Sequence, residues 1–224
     1  MEKGTYTYEY PRPSVTTDCV IFGFDGERLN VLLIERGIEP FKGHWAFPGG
    51  FLKMDEAAED GALRELQEET GMTGAYIEQF HTFSAPERDP RGRVISIAYY
   101  ALVPMQEVKG GDDAAKAQWF PVSEVPPLAF DHDYILRMAM KKLKERMHFE
   151  PVGFELLPEI FPMKSLQTLY EEVLEVKFDR RNFAKKILHY DLLTPVNETT
   201  RPFTYRFNKA SYRELKQKGF RLEF

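Results

Sequence analysis

The order of apolar and polar positions in the first half of the chain predicts a mixed sheet. Apolar runs at 15–24 and 30–35 flank Asp25 and Gly26, which is a pattern typical of a β-hairpin. Further strands are predicted at 76–83, 94–103 and 117–122, and helical periodicity appears at 57–69 and 134–147. One helix on each side of such a sheet gives an α/β fold, specifically an α/β/α sandwich.

The second half of the chain has a different pattern, which predicts a second domain. Three prolines and a glycine between residues 150 and 162 indicate a packed linker, so we expect domains at 1–149 and 150–224. Ser165 is predicted to cap one helix and Asp179 a second, with Phe183, Ile187 and Leu188 facing inward. A hairpin is predicted over 192–207. This order of elements, helices followed by a basic hairpin, is typical of a small winged-helix domain.

Composition adds three expectations. Hydrophobic residues make up 43% of the chain, which is enough to form hydrophobic cores. The chain has no run of eighteen apolar residues, so no membrane span is expected. The N-terminus lacks the basic and then apolar pattern of a signal peptide. The single cysteine, Cys19, lies in an apolar strand and is expected to be a reduced core residue. We therefore expect a cytoplasmic protein.

Three carboxylates share one face of the helix predicted at 57–69. Glu65, Glu68 and Glu69 stand at positions i, i+3 and i+4, so they project together. Like charges this close repel each other unless a cation neutralises them. Oxygen ligands of this kind suit Mg²⁺ or Mn²⁺, with waters and substrate phosphates completing the coordination. The alternative is an ordinary solvated acidic face.

The residues around this face form a longer pattern. From Gly50 to Met72 the chain reads G-x5-E-x7-R-E-apolar-x-E-E-x-G-apolar, with every constrained position filled. This segment resembles the signature of the Nudix hydrolases. The resemblance implies a Nudix sandwich that holds a divalent metal against a diphosphate. Some members of the family keep the fold and only bind their ligand.

The resemblance also assigns roles to individual residues. It implies a structural ion pair between Glu56 and Arg64. It further implies catalytic roles for the three clustered carboxylates and a metal site that includes a backbone carbonyl. The metal ligands implied in this way are Gly50, Glu65, Glu68 and Glu69. The general base is not assigned.

The loop SAPERDPRGR at 84–93 is a candidate for substrate binding. Arg88, Arg91 and Arg93 can bind an anionic ligand through charge-assisted hydrogen bonds. A similar loop occurs in ADP-ribose-type Nudix proteins, and the resemblance extends to the segment 111–114. There Asp112 or Asp113 is expected to help hold the metal or act as the base, and Asp112 is the candidate for the substrate site. A solvated turn is the alternative. His132 is expected near the same pocket as a helix-start residue.

The C-terminal quarter carries a basic surface. Residues 177–224 hold twelve Lys and Arg against five Asp and Glu, within a chain of net charge −5. Such a surface suits a polyanionic partner, and its side chains suit phosphate and base-edge contacts in DNA. The alternative is a protein-interaction module. The candidate DNA-binding residues are Arg180, Arg181, Asn182, Lys185 and Lys186 on the second helix and Arg201 at the hairpin turn.

Nearly the whole chain resembles the Nudix-related bacterial transcriptional regulators of NAD metabolism or sugar catabolism. The C-terminal resemblance lies in LPEIFPMKSLQTLYEEVLEVKFDRRNFAKKIL and TYRF. Those relatives are dimers that sense ADP-ribose or a sugar metabolite, and many have lost the complete signature that this chain retains. The resemblance therefore implies a Mg²⁺-dependent hydrolase of ADP-ribose-type nucleoside diphosphates that also binds double-stranded DNA as a homodimer. A non-catalytic repressor and a plain hydrolase with a dimerisation tail are the alternatives.

Overall fold

A mixed seven-stranded sheet forms the centre of the N-terminal part of the molecule. The computed structural model describes residues 7–108, 114–197 and 199–223. The strands are β1 (Ser14–Phe24), β2 (Leu29–Arg36), β3 (Trp45–Ala46), β4 (Gly49–Phe51), β5 (Ile77–Phe83), β6 (Val94–Leu102) and β7 (Ala114–Pro121). Their order is β3-β2-β1-β6-β5, with β4 also paired to β1 and β7 to β2. The pair β1 and β6 is parallel and the others are antiparallel.

Two helices cover opposite faces of this sheet. Helix α1 (Ala58–Thr70) packs Leu66 with Ile21, and helix α2 (His132–Phe149) packs Leu143 with Val20. Val20 and Ile21 are neighbours in β1 and point to opposite faces because side chains alternate along a strand. The predicted sandwich is confirmed. Cys19 is fully buried, as expected.

The C-terminal part forms a winged-helix fold, as the sequence predicted. A short strand β8 (Phe161–Pro162) leads into α3 (Met163–Leu174) and α4 (Arg180–His189). The hairpin of β9 (Leu193–Asn197) and β10 (Thr204–Phe207) follows, and the sheet order is β8-β10-β9. A further helix, α5 (Lys209–Gln217), closes the domain.

Two local predictions in this part were wrong, and one helix was not predicted. Ser165 does not cap α3, because the helix begins at Met163 directly after Pro162, which makes no side-chain cap. Leu188 does not face inward but is 43% exposed. Helix α5 was not predicted. The Asp179 cap is confirmed, since its carboxylate accepts hydrogen bonds from the backbone N–H groups of the second and third helical residues at 3.1 and 2.9 Å.

One apolar cluster runs through both parts of the chain. Leu143 and Met147 of α2 belong to the same buried cluster as Leu166 and Tyr170 of α3. The expected boundary between residues 149 and 150 therefore lies within continuous packing. Within the described ranges, no helix has both the length and the apolar character needed to cross a membrane.

Candidate functional site

A cleft of about 430 Å³ opens where β1, β4 and α1 meet the 84–93 loop and the start of α2. The carboxylates of α1 line part of the cleft, and we call this part the carboxylate wall. Arginines and aromatic rings from β2, the 84–93 loop and the residues before α2 also line it. The cleft therefore brings acidic, basic and aromatic side chains together.

Two glycines let the backbone approach the carboxylate wall. Gly49 and Gly50 pair with Asp18 and Thr17 of β1. A Cβ atom on Gly50 would lie 2.3 Å from Glu65 Oε1, and one on Gly49 would lie 2.1 Å from the Thr17 carbonyl oxygen. An added Cβ at Gly49 would meet the β1 backbone, so this position needs glycine, whereas one at Gly50 would displace the Glu65 carboxylate.

Glu69 is the most buried of the three clustered carboxylates. Its side chain accepts a 2.8 Å hydrogen bond from the backbone N–H of Gly49, and the residue is only 7% exposed. Burial, together with the charges of Glu65 and Asp18, raises the pKa of Glu69 to about 8. Burial also raises the pKa of Glu65, although Arg64 opposes this shift. Carboxyl groups in this setting ionise more readily when a cation lies beside them.

Arg64 links the cleft to the loop that precedes α1. Its Nε and Nη2 donate to the two carboxylate oxygens of Glu56 at 2.9 and 2.7 Å, so the ion pair implied by the resemblance is present. These hydrogen bonds hold the pKa of Glu56 at about 2, against the cost of burial. Nη1 of Arg64 also reaches Glu65 at 2.6 Å and Glu68 at 3.0 Å.

The donor chemistry of this wall suits a divalent metal. All three carboxylates and Gly50 border the same cleft, and their oxygen atoms are ligands that Mg²⁺ and Mn²⁺ accept alongside phosphate oxygens. In the described part of the chain, no three His, Cys, Asp or Glu side chains converge closely enough to enclose an ion. Arg64 holds Glu65 and Glu68, and the Gly49 amide holds Glu69.

The structure separates the three arginines of the 84–93 loop. Arg91 lines the cleft with a side chain that is 36% exposed, although its Nε and Nη2 donate to Asp89 at 2.7 to 3.2 Å. Its guanidinium lies 4.7 Å from the Phe51 ring centroid and 5.3 Å from that of Phe130. Arg88 forms part of the cleft wall, but its side chain is 4% exposed and is committed to Asp131 through hydrogen bonds of 3.0 and 2.6 Å.

One candidate substrate residue lies outside the cleft, and another falls outside the described residues. Arg93 is exposed, and its guanidinium donates to the Ser84 carbonyl at 2.6 Å, across the base of the loop. The expectation that Arg93 contacts the ligand is therefore not supported, because this bond directs the side chain elsewhere. Asp112 lies outside the described residues.

Two residues of the cleft were missed by sequence reasoning. Arg36, the last residue of β2, has its guanidinium 4.8 Å from the centroid of the Phe130 ring and donates to the Pro40 carbonyl at 2.9 Å. Asp18 of β1 is buried and accepts a hydrogen bond from the Ser96 hydroxyl. A charged residue within an apolar strand was the available signal for Asp18. Arg36 had no comparable signal in the sequence, because an arginine at the end of a strand is common and does not indicate a binding site.

His132 ties the start of α2 to the floor of the cleft. Its Nδ1 accepts a 3.0 Å hydrogen bond from the backbone N–H of Phe47, and its ring stacks on the Phe47 ring at 5.2 Å. The proton of the neutral ring therefore sits on Nε2, which lies 3.6 Å from Asp18 Oδ1. Burial lowers the pKa of His132. It is the first residue of α2, as expected.

The candidate DNA-binding residues of the winged-helix part differ in their exposure to solvent. Those exposed on α4 are Arg180, Arg181, Asn182 and Lys185. Lys186 is half-buried and donates to the Glu223 carbonyl, so it is not on the open face of α4. Arg201 is exposed in the hairpin turn, 6.0 Å from the Phe203 ring centroid.

Fold and site together define a Nudix domain followed by a winged helix. The family model for the NUDIX domain matches residues 12–139. The model for the NrtR DNA-binding winged helix domain matches residues 153–209. The chain therefore belongs to the Nudix family, and within it to the proteins that carry an NrtR-type winged-helix domain.

Three relatives illustrate both halves of the chain. The ADPR responsive transcriptional repressor NtrR of Acinetobacter baylyi is 30% identical over 91% of this chain and 86% of its own length. The ADP-ribose pyrophosphatase of Methanocaldococcus jannaschii is 42% identical over 59% of this chain and 76% of its own length. Shewanella oneidensis NrtR, crystallised with a 27mer DNA, has a TM-score of 0.76 and 29% identity over 92% of this chain and 96% of that chain.

Proposed function

We propose that this chain is a Mg²⁺-dependent hydrolase of ADP-ribose or a related nucleoside diphosphate, and that its winged-helix domain binds DNA in response to that ligand. The observation that carries the enzymatic half is the cleft itself. A complete set of three carboxylates shares one cleft with arginine and aromatic side chains. The pyrophosphatase and the repressor among the relatives support the two activities separately.

Each group of side chains in the cleft has its own role in the proposed reaction. Glu65, Glu68, Glu69 and the Gly50 carbonyl would hold the metal. When bound, the metal supplies charge neutralisation for the diphosphate and a lowered pKa for the attacking water. The Glu56–Arg64 pair fixes the loop against α1.

The arginine and aromatic side chains of the cleft position the substrate. Arg91, whose Nε and Nη2 already donate to Asp89, would donate through Nη1 to a phosphate or ribose oxygen, and the Phe51 and Phe130 rings beside it would exclude water. A water oxygen bonds to phosphorus as the bridging P–O bond breaks, and a carboxylate of the cleft takes the water proton. The products from ADP-ribose are AMP and ribose 5-phosphate.

The enzymatic half is tested by release of AMP from ADP-ribose with Mg²⁺ or Mn²⁺. Glu69→Gln should retain the fold and lower turnover by roughly two orders of magnitude or more, because it removes a charged group at the reacting centre. Glu59→Gln is the matched control, since Glu59 is an exposed residue of the same helix. A wild-type chain that hydrolyses no nucleoside diphosphate would leave a ligand-binding regulator as the function.

The DNA-binding half is carried by the exposed basic face of α4. Arg181 and Lys185 are exposed on a helix whose start is fixed by the Asp179 cap. We propose that a homodimer places two such helices on a palindromic site. Affinity should fall steeply with salt, with a slope near −0.9 per phosphate neutralised. A DNA partner also favours the cytoplasm as the location of the protein.

This half is tested by fluorescence anisotropy with the promoter DNA upstream of the gene. Arg181→Ala and Lys185→Ala should weaken binding without changing hydrolysis, whereas Lys141→Ala, on the exposed face of α2, should change neither. ADP-ribose should shift the DNA affinity by about 1–3 kcal/mol. A sugar phosphate that shifts the affinity when ADP-ribose does not would identify the alternative effector. If salt-sensitive, sequence-selective binding is not observed, the C-terminal part is a dimerisation or protein-interaction module.

A further inference from the structure

Helix α2 reaches from the cleft to the winged-helix part. Its 18 residues span about 27 Å at the usual rise of 1.5 Å per residue. Its first turn belongs to the cleft wall, because His132 lines the cleft and the preceding Asp131 holds Arg88. The carbonyl of Phe149, its last residue, accepts a hydrogen bond from the backbone N–H of Leu222, which follows α5 in the winged-helix part. The helix therefore connects the cleft with the winged-helix part.

The last turn of α2 is held by a network of polar contacts. Arg146 donates through Nη1 to Glu78 of β5 and to the Tyr100 hydroxyl of β6, and through Nη2 to Glu150 at 2.9 Å. The Tyr212 hydroxyl of α5 donates to the same Glu150 oxygen at 3.3 Å. Glu150 is thus shared between the Nudix sheet and the winged-helix part.

The surroundings keep this network charged. Burial opposes ionisation of Glu150, but the hydrogen bond and charge of Arg146, with help from Lys216 and Tyr212, hold the pKa of Glu150 below its usual value. Lys216 Nζ lies 3.6 Å from the shared Glu150 oxygen. Burial raises the pKa of Tyr100 to about 12, so its hydroxyl keeps its proton at neutral pH.

The segment after α5 continues this connection to the DNA-binding helix. The fully buried Leu222 donates its backbone N–H to the Phe149 carbonyl of α2 at 2.8 Å. The next carbonyl, that of Glu223, accepts from Lys186 of α4. The end of α2 is therefore bonded to a segment that is itself bonded to α4.

We propose that Arg146, Glu150 and Tyr212 form a latch through which α2 transmits the occupancy of the cleft to helix α4. This inference rests on the proposed ligand-responsive DNA binding. Phe130 and Arg91 both line the cleft, and the Arg91 guanidinium lies over the Phe130 ring. Phe130 is two residues before the first residue of α2, so a ligand that contacts either side chain acts on the start of α2. Hydrogen bonds depend on direction, so the latch responds to a small displacement of α2 that apolar packing tolerates.

The latch is tested by measuring DNA affinity with and without a bound ligand. The ligand is the methylene-bridged analogue of ADP-ribose, which cannot be cleaved at the bridge. Glu150→Gln and Tyr212→Phe preserve side-chain size and remove only the charge or the hydroxyl. Lys144→Ala is the control, since it breaks the 2.8 Å ion pair between α2 and Glu175 of the α3 end and leaves the latch intact.

In wild type, the ligand should change the Kd for DNA by about 5- to 150-fold, the usual range of such coupling. The two latch variants should bind the analogue alone and DNA alone within about twofold of wild type, yet lose at least fivefold of the ligand-induced change. Lys144→Ala should keep the full ligand-induced change in the Kd for DNA. Hydrogen exchange of the α5 amides should respond to the analogue in wild type and not in Glu150→Gln.

Two results separate the possible failures. A wild-type protein whose DNA affinity ignores the analogue would overturn the proposed regulation and the latch with it. A responsive wild type whose latch variants respond equally would overturn the latch alone. A variant that weakens DNA binding by the same factor with and without the analogue would also overturn it, because that result describes a purely structural contact.

Discussion

The ion pair between Glu56 and Arg64 should make a measurable contribution to the stability of the Nudix part. Its side chains are 13% and 19% exposed. Glu56 accepts hydrogen bonds from Arg64 at 2.9 and 2.7 Å and from the Lys53 backbone N–H at 2.7 Å. Glu56→Gln keeps the size of the side chain but turns an NH₂ group toward a donor. Because at least one hydrogen bond to a charged group is lost, we expect a destabilisation of about 1.5–3 kcal/mol.

The assay is urea unfolding at several pH values. The pKa of Glu56 is lowered from 4.5 to about 2, so its contribution is complete above pH 4.5 and is lost as the pH falls through about 2. The difference between wild type and Glu56→Gln should therefore be constant from pH 7 to 5 and shrink toward pH 3. Glu59→Gln should change stability by only a few tenths of a kcal/mol. A Glu56→Gln difference below about 0.5 kcal/mol, or one that does not depend on pH, would refute the assignment.

Two further predictions concern the cleft. Arg91→Ala should weaken ADP-ribose binding by about 1.5–3 kcal/mol in calorimetry, whereas Arg93→Ala, outside the cleft, should change it by less than about 0.5 kcal/mol; equal effects would remove the distinction between them. Gly50→Ala should abolish most of the hydrolysis, because its Cβ would lie 2.3 Å from Glu65 Oε1 and displace that carboxylate. Circular dichroism should show a retained fold, and wild-type turnover in Gly50→Ala would contradict the close approach of the Gly50 backbone to the Glu65 carboxylate.

The parts of the fold that the sequence predicted are those with strong local signals. The first hairpin has continuous apolar runs on both sides of Asp25 and Gly26 and forms as expected. Helix α1 ends at Thr70 and is capped by Gly71, whose φ of 73° is left-handed and favours glycine. Helix α5 was missed because it is short, strongly polar and has no fully buried residue. Its position depends on contacts with α2 that lie far away in sequence.

Only part of the candidate site could be predicted from local signals in the sequence. Glu65, Glu68 and Glu69 share a face because helical spacing alone brings them together. The cleft position of Asp18 depends instead on pairing between β1 and β4, which no local pattern reveals. Arg93 looked equivalent to Arg91 in sequence, but the fold of the loop directs them differently.

The apolar cluster shared by α2 and α3 has a consequence for how the molecule unfolds. Leu143 and Leu166 are both fully buried in one continuous cluster, so neither part can lose its packing without uncovering the other. Nudix and winged-helix parts should consequently melt in one cooperative transition, with a calorimetric enthalpy that matches the van't Hoff value. A substitution that enlarges a cavity at this junction, such as Leu166→Ala, would lower the melting temperature of the DNA-binding and the catalytic parts together.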